Sequence, residues 1–251
     1  MKFLKKVLTS LAVLIFWLMI WQASAMAVSN DLLLPSPIYT AKRMIELATE
    51  SEFYLFTALS LLRVFAGIIA AIALSLPISA LCSKSKAADR VFAPAVILMK
   101  STPVVSFILI AIFLVDRALI PTIITFMMVF PVLYENLREG IRCTSRELIE
   151  MSSVFGISWV LKIKRIYLPA IKPFFYSAIF TSVGLAIKAG VAAEIIAYIP
   201  LSIGKELSDA KSYMEPADIF AWTAVIIVLS LVIEKLLRFV VSKWERRLED
   251  A

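Results

Sequence analysis

The sequence predicts an all-α polytopic membrane protein with about six transmembrane helices. Of its 251 residues, 61% are hydrophobic, and the mean hydropathy is +0.90. An ordinary soluble domain contains about 45–50% apolar residues, so this chain has more apolar surface than one soluble core can hide. The apolar residues are also grouped into segments close to the ~20 residues that a helix needs to cross a bilayer. These segments are 7–28, 54–82, 91–115, 118–134, 173–199 and 217–239.

The first segment allows two interpretations. Three lysines precede it and an Ala-Ser-Ala run at 23–25 resembles a cleavage site, which together are typical of a secretory signal peptide. However, the apolar stretch is at the long end for a signal, and Trp17 and Trp21 suit a membrane interface. We therefore expect an uncleaved transmembrane helix.

A polar stretch at 29–53 follows, and it is amphipathic from Tyr39 to Glu52. We expect it to lie outside the membrane on the external side. Residues 1–53 are then predicted to form a transmembrane helix with an external amphipathic segment, and residues 54–247 to form the core domain.

The third segment contains Pro94, Lys100 and Pro103. Proline removes a backbone donor and clashes with the preceding turn, and broken helices in membranes occur where protein or water surrounds them. The pattern therefore predicts a kinked or broken helix. A short basic loop at 83–90 is expected before it, and a tight turn at 116–117 after it.

Basic residues indicate the orientation. Six spans put both termini on one side of the membrane, and that side carries 18 of the 26 Lys and Arg residues. The other side carries five, namely Lys42, Arg43, Arg117, Lys205 and Lys211. By the positive-inside rule, the termini and the loop at 135–172 are cytoplasmic. The net charge is +7, and the basic residues that produce it lie next to apolar spans. We therefore expect lipid rather than nucleic acid as the partner.

Several kinds of chemistry are excluded. The chain has no histidine, which removes a Ser-His-Asp triad, histidine metal ligands and histidine proton relays. Cys82 and Cys143 form no CxxC motif and are expected to be unpaired thiols. No GxxxxGK[ST] sequence occurs. We therefore expect no catalytic, metal or cofactor site, and no ATP hydrolysis by this chain.

The loop at 135–172 carries the most informative pattern. Thr144-x-x-Glu147 predicts a capping box that starts a helix near Ser145. Gly156 suits the position just after a helix, where positive φ is needed. The helical spacing places four residues on one face: Leu148, Met151, Ser152 and Phe155.

A second short helix is expected after Gly156. Ser158 can cap it, and Pro169 is expected to end it before the next span. Three residues would point inward and three outward: Trp159, Ile163 and Ile166 against Lys162, Lys164 and Arg165. Alternatively, the whole loop is an amphipathic connector lying on the membrane surface.

The loop also resembles a known family signature. Glu150 is followed by small residues, by Gly156 six positions on and, after nine residues, by Ile-x-Leu-Pro at 166–169. This pattern is similar to the loop of the integral membrane subunits of binding-protein-dependent ABC importers, with Met151 where the family usually has Ala. The resemblance covers about residues 54–247 and implies a type I importer permease fold. It implies that seven residues dock onto an ATPase: Glu150, Ser152, Ser153, Gly156, Ile166, Leu168 and Pro169.

The resemblance implies partners and a location as well. Members of this family lie in the bacterial inner membrane, work with cytoplasmic ABC ATPase subunits and receive a small-molecule substrate from an external solute-binding protein. A homodimer is the expected assembly. Gly184, the Ala193–Ile196 run and Ile203-Gly204 look most like the nitrate, sulfonate and taurine branch, which implies an anionic solute. The Trp-Phe-Gly segment of that branch is missing at 113–116.

Charges inside the spans are candidates for the translocation pathway. A charge at the bilayer centre costs about 2.5–3.5 kcal/mol on the insertion scale, so it should face a cavity or a partner. Lys188, Glu194 and Lys100 are therefore candidate pathway residues. Alternatively, Lys188 and Glu194 form structural pairs and Lys100 lies in a re-entrant turn. Arg63 is expected to snorkel or to pair between helices.

Two other functional classes predict features that these residues do not show. A stand-alone secondary transporter or channel predicts an inverted repeat and paired acidic residues within spans, and neither is evident. An intramembrane enzyme lacks a catalytic constellation. An importer permease for a vitamin precursor or another small organic solute stays open as an alternative.

Overall fold

The structure, a computed structural model, describes residues 2–249, with the side chains of residues 8–9 and 11–243. All regular elements in this part are helical, so the all-α prediction is confirmed. The α-helices are α1 (Lys2–Val28), α2 (Pro37–Thr49), α3 (Ser51–Lys84), α4 (Lys86–Ser101), α5 (Val104–Leu114), α6 (Ile120–Arg142), α7 (Arg146–Val154), α8 (Trp159–Lys162), α9 (Leu168–Ala197), α10 (Ile203–Ser212) and α11 (Pro216–Glu249).

The spans agree with a polytopic membrane protein. Within the described residues, four segments are long and apolar enough to cross a bilayer: Leu11–Val28, Ser51–Lys84, Arg117–Arg142 and Trp159–Ala197. The pair α4 and α5 counts as a fifth if it forms one broken span, since the two helices are bent by 107°. The predicted sixth segment lies within α11, a continuous helix of 34 residues.

The core forms where α6 packs between α3 and α9. Small residues make this approach possible. A Cβ on Gly67 would lie 2.6 Å from the carbonyl oxygen of Thr122, and one on Gly190 would meet Val64. Gly184, in contrast, faces open space, so it mediates no close helix packing within the described part of the chain.

Two predicted loops are shorter than expected. The basic stretch at 83–90 is helical except at Ser85, whose hydroxyl accepts a hydrogen bond from the Ala88 amide and caps α4. The loop at 135–172 begins with two more turns of α6, because Leu137 and Gly140 are buried in the core. At its other end α9 starts at Leu168.

Of three prolines that were expected to interrupt a helix, only one does so. The third span bends at Pro103, but Pro94 stays inside α4. Pro169 does not end the second short helix. A π-helical turn at Ile163–Tyr167 joins α8 directly to α9, so Pro169 lies inside a continuous helical segment, two residues after this wider turn.

Candidate functional site

Two short helices, α7 and α8, project from the bundle between α6 and α9; we call residues 145–162 the α7–α8 hairpin. Ser145 caps α7, since its hydroxyl accepts a hydrogen bond from the Leu148 amide at 3.3 Å. The predicted capping box at Thr144 is therefore displaced by one residue. Thr144 is buried and its hydroxyl donates to the carbonyl of Gly140.

Gly156 makes the turn of the hairpin. Its φ is +62°, as the sequence predicted. The Ile157 amide donates to the Ser152 carbonyl at 3.0 Å, and the Gly156 amide donates to the Ser153 carbonyl at 3.2 Å. These bonds satisfy carbonyls at the end of α7 and fix the reversal of the chain.

The hairpin carries apolar side chains on its outer side. Of the four residues that share the predicted face, only Ser152 is buried, and its hydroxyl donates to the Ile149 carbonyl. Phe155 is 75% exposed. The outward apolar side chains are Leu148, Met151, Val154, Phe155 and Val160.

The other residues of the predicted docking set differ in exposure. Glu150 and Ser153 are exposed on α7, Ile166 is half-buried, and Leu168 and Pro169 are exposed at the start of α9. The second short helix agrees with prediction only in part.

In that helix, Trp159 and Ile163 are partly exposed, but both face the space between α8 and the bundle, as predicted, and Trp159 contacts Lys84 of α3. Lys162 is half-buried and donates to the Ser153 hydroxyl at 3.0 Å. An amphipathic pattern alone does not tell which face the bundle covers.

Glu194 is fully buried near the other end of α9. Arg63 of α3 contacts one carboxylate oxygen at 3.2 Å. The Ser60 hydroxyl donates to the other oxygen at 2.8 Å, and the Gly204 amide also donates to it at 3.3 Å. Ser60 accepts a hydrogen bond from the Ile203 amide. The carboxylate therefore ties together α3, α9 and α10, and Arg63 is an interhelical partner.

Lys188 lies apart from Glu194 and is exposed on α9. It belongs to a polar stripe at 4-3-4 spacing, made of Ser177, Thr181, Gly184 and Lys188. These positions are exposed or half-buried, and Lys188 forms no ion pair within the described part of the chain. The stripe was missed by sequence reasoning, although the spacing of small and polar residues in an apolar span could have revealed it.

Lys100 has a different environment. Its ammonium donates to both carboxylate oxygens of Glu135, at 2.7 and 2.8 Å. It stands one residue before the end of α4, next to the 107° bend. Its charge is therefore balanced by a neighbouring helix.

The chain is similar to known transport proteins along most of its length. It is 27% identical to the putative aliphatic sulfonates transport permease protein SsuC of Bacillus subtilis, over 91% of this chain and 82% of SsuC. It is 25% identical to the formylaminopyrimidine transport permease protein ThiX of Halalkalibacterium halodurans, over 72% of this chain and 73% of ThiX.

A solved structure shares the fold. The crystal structure of an amino acid ABC transporter with histidines matches 82% of this chain and 97% of its own with a TM-score of 0.63, at 19% identity. In addition, residues 63–250 match the family described as binding-protein-dependent transport system inner membrane component. The chain therefore belongs to this family, the inner membrane permease components of ABC importers.

Proposed function

We propose that this permease moves a small anionic solute, such as a sulfonate, taurine or nitrate, that an external solute-binding protein delivers. Two copies of the chain would work with two cytoplasmic ATPase subunits. Closure of the ATPases would push on the α7–α8 hairpin and tilt the helices of the core.

The observation that carries this proposal is the outward apolar surface of the hairpin. The five apolar side chains and Glu150 are all exposed, so the described part of the chain does not cover this surface. Exposed apolar patches rimmed by polar residues mark interaction surfaces. A stiff helical hairpin held by Gly156 would pass motion from a soluble partner to the membrane helices.

An anionic solute is supported by the polar stripe on α9. Polar groups and an unpaired Lys188 are costly against lipid, so the stripe is expected to face a second copy of the chain across a hydrated pathway. A cation in such a pathway attracts anions. The similarity to SsuC agrees with this solute class.

A second candidate is a small heterocyclic vitamin precursor, which the similarity to ThiX favours. The two candidates differ in charge. Competition of uptake by a sulfonate or by a neutral pyrimidine distinguishes them.

The proposed topology places both termini and the hairpin in the cytoplasm. Helices α2 and α10 would then face outward, where a solute-binding protein could dock. The asymmetry of Lys and Arg supports this orientation.

Cross-linking tests the docking role directly. A photoactivatable reagent is attached to a cysteine introduced as Glu150→Cys or Ser153→Cys. The exposed Cys143 is replaced by Ser, and the remaining Cys82 is buried. In cells with the complete uptake system, both positions should form adducts with the ATPase. Arg90→Cys, exposed on α4, is the matched control and should not. Adducts with lipid alone at positions 150 and 153 would refute docking.

A further inference from the structure

A cleft of about 370 Å³ opens between the bundle and the inner side of the α7–α8 hairpin. The end of α3, the end of α6 and the start of α9 form its other walls. Three cationic residues line it: Lys84, Arg142 and Arg146. No carboxylate is part of this lining.

The cations of the cleft lack anionic partners. Within the described part of the chain, Lys84, Arg142 and Arg146 take part in no ion pair. The ammonium of Lys84 lies 3.7 Å from the centre of the Trp159 ring, and this cation–π contact orients it. Three unpaired cations that converge on one cleft favour an anionic ligand.

The rest of the lining is polar only in part. Tyr167 adds a hydroxyl group to the lining, whereas the hydroxyls of Ser83 and Thr144 already donate to the backbone carbonyls of Ser79 and Gly140. The apolar lining residues are Ala80, Ile141, Ile149, Ile163 and Ile171. The three cations and the Tyr167 hydroxyl would hold a phosphate group while a hydrocarbon chain follows the apolar side.

The position of the cleft indicates the source of such a ligand. Lys84 and Arg142 are the last residues of two membrane spans, so the cleft lies at the level of the lipid headgroups. Basic pockets between membrane helices on the cytoplasmic side bind anionic headgroups. A free anion would not use the apolar lining.

We propose that this cleft is a binding site for the phosphate headgroup of an anionic phospholipid. The lipid would fill the space between the hairpin and the bundle and hold the hairpin at a fixed distance from the membrane. The proposal depends neither on the transported solute nor on the ATPase.

Native mass spectrometry of the purified full-length chain tests it. The protein is titrated with dioleoyl phosphatidylglycerol or dioleoyl phosphatidylcholine in detergent, and bound lipids are counted. We expect the wild-type chain to retain phosphatidylglycerol preferentially. Lys84→Gln/Arg142→Gln/Arg146→Gln should bind it at least about tenfold more weakly.

Matched variants separate a defined site from general attraction. Lys86→Gln/Arg90→Gln/Lys164→Gln removes three exposed cations from the same side but outside the cleft, and it should bind like wild type. Lys84→Arg/Arg142→Lys/Arg146→Lys keeps the charges and should keep binding, which also shows that the site tolerates substitution. Equal losses in both neutralised variants would overturn the proposal.

A competition arm separates a lipid from a free anion. Millimolar inorganic phosphate should leave the bound phosphatidylglycerol in place, since it gains nothing from the apolar lining. Displacement by phosphate alone would show that the cleft takes a free anion and would overturn the lipid assignment.

Discussion

Single residues near the C-terminal end of α9 show how a membrane protein can bury a carboxylate. Glu194 receives hydrogen bonds from Arg63, Ser60 and Gly204, so both of its oxygens are satisfied by different elements. Gly204 is required here, because a Cβ would lie 2.6 Å from the Ile195 amide nitrogen. The network holds the loop after α9 against α3. This pairing agrees with the structural alternative for Glu194, in which its charge is balanced within the bundle.

Breaking this ion pair on one side should destabilise the protein. Glu194→Ala leaves Arg63 without its counter-charge, and we expect a loss of roughly 3 kcal/mol, near the lower end for buried pairs, because Arg63 is still 18% exposed. Arg63→Met/Glu194→Met should recover much of this loss, since no uncompensated charge remains. Denaturant unfolding of the purified variants measures both. Additive losses in the double variant would contradict the coupling.

A second polar cluster, outside the membrane spans, predicts pH behaviour. Tyr198 donates to Asp209 at 2.6 Å, and Lys205 forms an ion pair with Asp209. The hydrogen bonds from Lys205 and Tyr198 lower the pKa of Asp209. The bond to Asp209 raises the pKa of the Tyr198 phenol, because the neutral phenol is the donor, and raises the pKa of Lys205.

The signs of these shifts define a pH window. Asp209 stabilises the fold above its unfolded pKa of about 3.9, and this contribution is lost as pH falls through the lower folded value. Lys205 contributes below its unfolded pKa of about 10.4, and this is lost as pH rises through the higher folded value. The cluster should thus be intact across neutral pH. In Asp209→Asn, the pKa of Tyr198 should fall, as measured by ultraviolet titration against Tyr198→Phe; an unchanged value would refute the contact.

At the scale of elements, the α7–α8 hairpin shows what local chemistry can and cannot predict. Its turn follows from Gly156 and its start from a serine or threonine near 145, both of which depend only on neighbouring backbone groups. The exposed side of α7 could not be predicted, because an amphipathic stripe fits either the bundle or a partner. The π-helical turn before Pro169 depends on how α8 meets α9, which no sequence spacing encodes.

Substitutions at Gly156 should separate the effect of backbone strain from the effect of adding a side chain. A Cβ there would meet nothing within 4 Å, and φ is +62°. The cost of a side chain at this position therefore comes from the left-handed backbone conformation and not from a steric clash. Gly156→Val should cost about 1–2 kcal/mol and uncouple uptake, whereas Gly156→Asn should stay close to wild type, since Asn visits this region routinely. ATPase stimulation and uptake in proteoliposomes measure the effect, with equal membrane insertion as the control. Normal coupling in Gly156→Val would contradict the docking role.

For the whole molecule, α9 links the proposed docking hairpin to the proposed solute pathway at Lys188. The helical segment Trp159–Ala197 is continuous over 39 residues, from the hairpin at one end to the Glu194 network at the other. Movement of the hairpin would therefore reach Lys188 along one element. The six apolar segments and the family signature allowed the sequence to predict the bundle, but this continuity was hidden by Pro169 and Pro173, which resemble helix ends.

Neutralising Lys188 tests whether that element lines an anion pathway. Lys188→Gln should lower uptake of an anionic solute by roughly tenfold, about 1.4 kcal/mol, because the stripe loses its only charge, and Lys188→Arg should preserve uptake. Lys100→Gln/Glu135→Gln is the matched control, since it removes a lysine together with its partner and leaves no uncompensated charge, and it should change uptake little. Uptake at several solute concentrations in proteoliposomes that contain the complete importer separates affinity from rate. If Lys188→Gln kept both affinity and selectivity, the stripe would have to be a packing surface between copies rather than the route of the solute.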